Sequence, residues 1–270
     1  MAIRWIDIVE AAKNPRCASR GFSLVELLAA IAIAVVLGAM VFIAAKRASA
    51  SASVAVSANN IRQLAAGGMS YLADNQNVYW KYQQPAGHGT TWWFGFETRA
   101  SMARAEGQRE FDATQGPLAN YIAKGIRPDP GLASAGIAFK PKYRSGYIGI
   151  GYNTHLGGGY HGNQPPQHHL RIPEPSKIVV FATCAQINTW LKPASGKNPM
   201  LEEFYGLDDG ASGYPATVHF RSGGKAMVAF ATGNVGFIPM DESTRDQRAP
   251  KANIGRFAPQ GDRSFLRPGE

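Results

Sequence analysis

The clearest pattern along the chain is an apolar run from Phe22 to Ala45 that contains a single charge, Glu26. At 1.5 Å of rise per residue, these roughly 24 residues form about 36 Å of helix, which spans the hydrocarbon core of a bilayer with some tilt. The pattern therefore predicts a transmembrane helix over residues 22–45. A carboxylate inside such a helix costs about 2.5–3.5 kcal/mol on insertion scales, so Glu26 needs a specific role.

The helix is predicted to continue over residues 46–74, because no proline interrupts this stretch. Its apolar residues recur at spacings of three and four, which places them on one face of an amphipathic helix. They are Val54, Ala58, Ile61, Leu64, Ala65, Gly68, Tyr71 and Leu72. The polar residues Ser57, Asn60, Arg62 and Ser70 are predicted to lie on the opposite face. Small residues dominate residues 48–58, which favours close contact between helices.

Later in the chain, short apolar runs predict β-strands. Large side chains alternate with glycine over residues 147–153, and β-branched residues are frequent over residues 178–182. Residues 225–230 and 235–238 flank the turn sequence Ala231-Thr232-Gly233-Asn234, which predicts a β-hairpin. Successive short strands after one long helix predict an α+β fold, in which the helix packs on an antiparallel sheet with long loops.

The segments between these elements are less regular. Two aromatic clusters, at residues 79–82 and 92–96, are predicted to fill the core, with a recognition surface as the alternative. A short helix is predicted over residues 116–122. We assign residues 75–240 to one globular domain and predict that the polar tail, residues 241–270, is extended or disordered.

The net charge of +9 is distributed along the chain without a dense basic run. Residues 1–21 hold four basic and two acidic residues, a net charge of +2, so the rest of the chain carries 9 − 2 = +7. Nothing beyond this excess favours nucleic-acid binding, and a solvated basic surface is the default interpretation. The four basic residues ahead of the apolar run favour a cytoplasmic N-terminus.

The start of the apolar run carries a specific combination of residues. Gly21 precedes the run, the hydrophobic residue Phe22 opens it, and Glu26 is the fifth residue counted from Phe22. In this combination the segment resembles the class III signal of type IV prepilins and type II secretion pseudopilins. A membrane anchor with an incidental glutamate is the alternative interpretation.

The resemblance implies that residues 1–21 form a leader, which a prepilin peptidase removes by cutting between Gly21 and Phe22. It implies that the new N-terminus at Phe22 is methylated. It also implies that Glu26 pairs with the N-terminal ammonium of an adjacent subunit during filament assembly. The implied partners are the peptidase, other pilin or pseudopilin subunits, an inner-membrane assembly platform and membrane lipid.

Shorter matches extend the resemblance to a large subgroup of bacterial prepilin-like proteins. The segments that carry these matches are residues 60–64, 71–75, 151–153, 175–182, His219, 223–224 and 230–235. Thr232 and Asn234 depart from the Asp and His that this subgroup has in its last hairpin. A polar or metal-binding role of that hairpin would therefore be lost in this chain.

The chain has two cysteines, Cys17 and Cys184. Because Cys17 lies in the predicted leader, the mature chain would have no intramolecular disulfide. Cys184 follows an apolar run and is predicted to be a small buried hydrophobic residue.

Candidate metal ligands are few, and no cofactor is expected. Four histidines lie in or beside a Gly/Pro-rich stretch and are predicted to be solvated: His155, His161, His168 and His169. Asp208 and Asp209 end an acidic run that starts at Glu202, and they form a candidate cation site, since some pseudopilins bind calcium through a C-terminal loop. His219 is predicted to be a hydrogen-bonded turn residue rather than a general base.

The chain has no Gly-rich phosphate loop and no nucleophile elbow, so it is predicted not to be an enzyme. The resemblance predicts the precursor of a structural subunit, a single-pass protein of the bacterial inner membrane that joins a pilus or a pseudopilus. Its C-terminal domain would be periplasmic or extracellular. The alternative is a membrane-anchored binding module that displays its aromatic and His-rich loops without polymerising.

Overall fold

The structure is a computed structural model, and the chain divides into two compact units, residues 1–48 and 49–270. The residues that the structure describes are 23–122, 125–132, 137–144, 148–211 and 213–269. The bond between Gly21 and Phe22 lies outside them, and so does Tyr147 in one of the predicted strands.

One long helix, α1, runs from Leu24 to Asp74. Every residue of α1 from Leu24 to Ala52 is exposed. Among the helices that the structure describes, α1 alone is long and apolar enough to cross a membrane. The helix ends as predicted because Gln76 and Asn77 have positive φ angles of 55° and 58°, and Asn77 N–H donates to the Leu72 carbonyl (2.8 Å).

In the second unit, α1 packs one apolar face into the domain core. Ile61, Leu64 and Leu72 are at most 2% exposed, as their spacing predicts. Gly68 allows the close approach of an aromatic ring, because a Cβ at this position would lie 2.9 Å from Cη2 of Trp80. The amphipathic second half of the helix is therefore confirmed.

Two polar residues of α1 were placed on the wrong face by the sequence pattern. Ser57 and Asn60 are buried, and both contact the loop that contains Asp129. The Ser57 hydroxyl donates to Oδ1 of Asp129 (2.7 Å), and Asn60 Nδ2 donates to the Pro128 carbonyl (3.3 Å). Their burial is tolerated because each polar group has a partner.

The described part of the second unit contains a short helix, α2 (Arg99–Met102), and short strands in four sheets. In chain order the strands are β1 (Gln83–Ala86), β2 (Gly89–Trp92), β3 (Gly95–Thr98), β4 (Phe139–Lys140), β5 (Ile150–Asn153), β6 (Val179–Thr183), β7 (Gln186–Asn188), β8 (Met200–Glu202), β9 (Gly206–Leu207), β10 (Val218–His219), β11 (Lys225–Phe230), β12 (Val235–Pro239) and β13 (Ile254–Gly255). The short helix predicted over residues 116–122 is instead a single 3₁₀ turn, Ala119–Tyr121, and another 3₁₀ turn, Ala113–Gln115, precedes it.

The largest sheet has the order β12-β11-β6-β5-β9, and its strands are antiparallel except for the pair β5 and β9. The predicted hairpin is present, with Ala229 of β11 opposite Val235 of β12. The other sheets are β1-β2-β3, β4-β8-β7 and β10-β13. A long N-terminal helix with these antiparallel and mixed sheets confirms the predicted α+β, pilin-like arrangement.

The aromatic clusters fill the core, as predicted. Tyr82 and Trp93 are fully buried, and Tyr79, Trp80 and Phe94 are at most 2% exposed. Their rings contact one another and the aromatic rings of the central sheet: Trp80 stacks on Tyr152, and Trp93 meets Phe94 edge-on and Phe181 at a tilt. The alternative, a recognition surface made by these clusters, is therefore excluded for these five rings.

The prediction of an extended or disordered tail after residue 240 is wrong. Ile254 is fully buried in β13, which pairs with β10, and Phe257 and Leu266 are buried in an apolar cluster. The backbone N–H of Val179 in β6 donates to the Phe265 carbonyl (2.8 Å). The tail is polar in average composition, but a few apolar side chains at irregular spacing anchor it to the domain.

Candidate functional site

The N-terminus of α1 is held by a reciprocal pair of hydrogen bonds. Ser23 N–H donates to Oε2 of Glu26 (2.9 Å), and Glu26 N–H donates to Oγ of Ser23 (3.2 Å). This arrangement is a capping box, and it satisfies backbone N–H groups that a helix start leaves without partners. The Ser-x-x-Glu spacing of residues 23–26 is the sequence signal for this cap.

The capping box gives Glu26 a role within a single chain. It holds the carboxylate at the first turn of α1, where the helix dipole favours negative charge. Gly21 and Phe22, the predicted cleavage and methylation residues, lie outside the described part of the chain. Their roles, and the contact of Glu26 with a neighbouring subunit, stay predictions.

The candidate cation site places Asp208, Asp209 and His155 close together. One ligand atom from each of the three side chains lies within 4.8 Å of the others. Oδ1 of Asp208 accepts the Gly210 N–H (2.7 Å), and Oδ1 of Asp209 accepts the Ala211 N–H (2.9 Å). The two carboxylates thus also cap the turn that follows them.

Two arginines of the C-terminal segment already balance the charge of Asp209. Nε of Arg267 lies 2.5 Å from Oδ2 of Asp209, Nε of Arg263 lies 3.7 Å from it, and Nε2 of His155 lies 3.3 Å from it. Burial raises the pKa of Asp209, but the Ala211 N–H and these cationic neighbours outweigh burial and lower the pKa. A bound cation would have to compete with the guanidinium groups, and calcium binding stays a prediction.

The other histidines lie in different surroundings. His161 is exposed, and Nδ1 of His169 lies 3.1 Å from the hydroxyl of Tyr79. His219 is buried in strand β10 rather than in a turn, and its Nδ1 lies 3.0 Å from Nη1 of Arg221. Within the described ranges, only His155 joins two carboxylates in a group compact enough to bind a metal.

A buried ion pair, which no sequence pattern indicated, ties α1 to the central sheet. Nη2 of Arg221 pairs with Oδ2 of Asp129 and also donates to the Gly149 carbonyl (2.7 Å). Oδ1 of Asp129 accepts the Ser57 hydroxyl (2.7 Å) and the Gly131 N–H (2.9 Å). Additional hydrogen bonds of this kind offset part of the cost of burying the pair, although Nε of Arg221 has no hydrogen-bond partner among the described residues.

The acidic run that starts at Glu202 is not one site. Glu202 pairs with the buried ammonium of Lys140 (2.5 Å). Glu203 accepts the backbone N–H groups of Lys142 (2.6 Å), Tyr143 (2.7 Å) and Ile148 (3.1 Å). Burial raises the pKa of Glu203, although these N–H bonds oppose the increase. The partners of Glu202 and Glu203 are thus different residues from those of the candidate cation site.

The buried His219 predicts that acid destabilises the domain. Burial lowers the pKa of His219 well below its ordinary value of 6.5, and Arg221 lowers it further, against one opposing hydrogen bond to the Ala252 backbone. The native imidazole stays neutral while the unfolded one binds a proton below pH 6.5, so stability falls as the pH falls. From pH 7.5 to 5.5 we expect a loss of about 1.4 kcal/mol from this residue.

Urea unfolding of the full chain in detergent at the two pH values measures this loss. The pH-dependent part should shrink in a His219→Gln variant and stay unchanged in His161→Gln, whose side chain is exposed. An equal pH dependence in wild type and His219→Gln would contradict the assignment.

The comparison with protein families matches the N-terminal segment of the chain. Residues 16–42 match the family described as the prokaryotic N-terminal methylation motif. This range includes Gly21, Phe22 and Glu26. Neither the comparison with curated proteins nor that with solved structures gives a match.

Proposed function

We propose that this chain, which carries a prepilin-type methylation motif ahead of a long apolar helix, is the precursor of a structural filament subunit. The filament is a type IV pilus-like fibre or a type II secretion pseudopilus. The motif itself supports a precursor that is processed by a prepilin peptidase and methylated.

The observation that carries the proposal is the exposed apolar surface that directly follows the motif. Large apolar side chains between Leu24 and Ile43 are 52% to 81% exposed in the single chain. Such a surface is not stable in water and has to be covered by lipid or by other helices. A subunit that is first inserted in the membrane and then packs its helix against other subunits covers it at both stages.

In this proposal each N-terminal residue has one role. The peptidase cuts between Gly21 and Phe22, and the new amine of Phe22 is methylated. Glu26 pairs with that amine in a neighbouring subunit, and because each subunit brings one amine and one carboxylate, the contact repeats into a filament. The protein spans the inner membrane once before assembly, with its C-terminal domain on the extracytoplasmic side.

Gly21→Val is expected to block processing, because a branched side chain keeps the peptidase from approaching the backbone. In cells that contain the peptidase, the variant should stay at the precursor size on a gel, while wild type shifts to the mature size. Ala18→Val, three residues upstream, is the matched control and should be cut normally. Full processing of Gly21→Val would refute the cleavage assignment.

N-terminal sequencing and mass analysis of the mature protein test the proposal directly. We expect a chain that starts at Phe22 and carries one extra methyl group. Shearing of cells then separates a filament from the alternative, an anchored binding module, because only a polymer is released. The burial of Trp93 and its neighbouring rings counts against one of the two surfaces that this alternative would display, the aromatic clusters, and leaves the His-rich loop.

A further inference from the structure

The loop between β7 and β8, residues 189–199, exposes two adjacent apolar side chains. Trp190 is 60% exposed and Leu191 is 43% exposed. Lone exposed apolar residues are ordinary, but an exposed tryptophan beside an exposed leucine is not. We call residues 189–199 the tip loop.

A buried side chain holds the tip loop in place. Asn188 is 1% exposed, and its Oδ1 accepts the backbone N–H groups of Trp190 (3.0 Å) and Leu191 (2.9 Å). Its Nδ2 donates to the buried carboxylate of Glu202 (3.1 Å). Trp190 is therefore presented by a built turn, which lowers the entropy that a contact would cost.

The far side of the same loop is closed by its own hydrogen bonds. Ser195 and Asn198 exchange backbone N–H to carbonyl bonds of 3.0 Å, and Ala194 N–H donates to the Leu191 carbonyl (3.1 Å). Ala194 is buried beneath this turn. The exposure of Trp190 is thus a property of an ordered loop.

Contacts inside the second unit place the start of the tip loop on the side of the domain that holds Ser57 of α1. The middle of strand β6 lies beside the later part of α1, since a Cβ on Gly68 would lie 3.9 Å from Cε2 of Phe181. It leads to Cys184, whose N–H donates to the Gly149 carbonyl (2.9 Å), the same carbonyl that Arg221 binds next to Asp129 and Ser57.

Strand β7 then packs Ile187 in one apolar cluster with Leu132. Leu132 closely follows Pro128 and Asp129, which accept hydrogen bonds from Asn60 and Ser57 of α1. The tip loop follows β7 directly, so it belongs to the Ser57 end of the domain. Ser57 precedes Gly68 along α1. The Ser57 end of the domain is therefore closer in sequence to the apolar run that starts at Phe22.

The charged residues of the tip loop itself are all positive. Residues 189–199 contain no carboxylate, and their two lysines, Lys192 and Lys197, are both exposed. Arg127 and Lys251 are also exposed, in segments that contribute Leu132 and Ala252 to the same cluster as Ile187. A complementary surface would be apolar at its centre and anionic around it.

We propose that the tip loop docks on the anionic surface of the membrane in which α1 is inserted. Trp190 and Leu191 enter the headgroup region, where an indole ring is well accommodated, and Lys192 and Lys197 bind lipid phosphates. The apolar area of the two side chains is on the order of 200 Å², against the roughly 800 Å² that each partner buries in a stable protein interface. The exposed apolar area is thus too small for a stable protein interface but sufficient for a shallow contact with lipid.

Tethering makes so small a contact effective. Because insertion of α1 tethers the domain to the bilayer, the loop meets lipid at a high effective concentration. Docking therefore needs little affinity of its own. The proposal rests on the insertion of α1 in a membrane, which is part of the proposed function, and does not depend on polymerisation.

Quenching of tryptophan fluorescence by brominated lipids tests the proposal on the full chain. The protein is reconstituted in vesicles of phosphatidylcholine with or without one third phosphatidylglycerol, and Trp190→Phe gives the contribution of Trp190 by difference. We expect Trp190 to be quenched in the anionic vesicles and shielded there from aqueous acrylamide. The double variant Lys192→Gln/Lys197→Gln should lower the ratio of docked to free loop by about thirty-fold.

The control double variant, Lys81→Gln/Arg171→Gln, removes two exposed cations elsewhere on the domain and should leave the quenching unchanged. Equal circular dichroism spectra and melting temperatures show that all variants are folded. Accessibility of Trp190 to acrylamide that is the same in anionic vesicles and in detergent would overturn the proposal. Shielding that appears only in sheared filaments would also overturn it, in favour of a neighbouring subunit as the partner.

Discussion

Glu26→Val is expected to abolish filament formation while the protein still inserts in the membrane. Valine makes the apolar run more hydrophobic, so insertion has no reason to weaken. Assembly loses the carboxylate that would neutralise the Phe22 ammonium of a neighbouring subunit. Leaving one member of a desolvated ion pair without its partner costs about 3–5 kcal/mol, which is roughly a hundred- to several-thousand-fold in association.

The capping box makes a sharper variant available. Glu26 accepts the Ser23 N–H in the single chain (2.9 Å), and a glutamine at this position can accept the same bond. Glu26→Gln therefore preserves the helix start but removes the charge. If Glu26 acts through charge between subunits, Glu26→Gln should fail to assemble almost as completely as Glu26→Val.

The measurement is the amount of subunit released by shearing, together with the amount retained in the membrane fraction. Ser23→Thr keeps the capping hydroxyl and serves as the control with normal assembly. Normal filaments from Glu26→Gln would show that capping of α1 is sufficient and that no intersubunit ion pair is needed. Normal filaments from Glu26→Val would refute both roles.

Removal of residues 257–270 is expected to unfold the second unit. The deletion takes away Phe257 and Leu266, which are buried at 9% and 5% exposure, and loss of a large buried apolar side chain typically costs 2–5 kcal/mol. It also leaves the N–H of Val179 without the Phe265 carbonyl, and it strips Asp209 of Arg267. Together these losses approach the roughly 5–15 kcal/mol that stabilises a typical domain.

Denaturant unfolding, followed by the fluorescence of the buried tryptophans, measures the outcome. We expect the truncated chain to show no cooperative transition and to emit at the wavelength of exposed indole. A deletion of residues 268–270 alone, which keeps both buried side chains, should retain the transition. A native-like midpoint after the longer deletion would contradict the anchoring role of the tail.

The local features were readable from the sequence because each depends on residues close together in the chain. The apolar run that starts at Phe22 and the isolated charge of Glu26 predict a membrane helix with a special acid. The stripe of Ile61, Leu64 and Leu72 predicts one buried face, since helical spacing alone decides which residues are neighbours. The hairpin around Gly233 is equally local, because turn chemistry and alternation determine it.

The features that the sequence patterns did not predict depend on contacts between residues far apart in the chain. The sequence pattern places Ser57 on the exposed face of α1. In the folded domain its hydroxyl instead donates to Asp129, which pairs with Arg221. The tail reads as disordered because its average composition is polar, yet Leu266 at one position is enough to anchor it.

The same limit separates two tryptophans. Trp93 and Trp190 are the same residue type, but one is fully buried and the other is 60% exposed. The length and apolar character of α1 and the acid near its start depend on neighbours along the chain, so residue patterns are enough to predict them. Which polar groups are paired and which apolar groups stay exposed depends on the fold, because burial is set by contacts between distant segments.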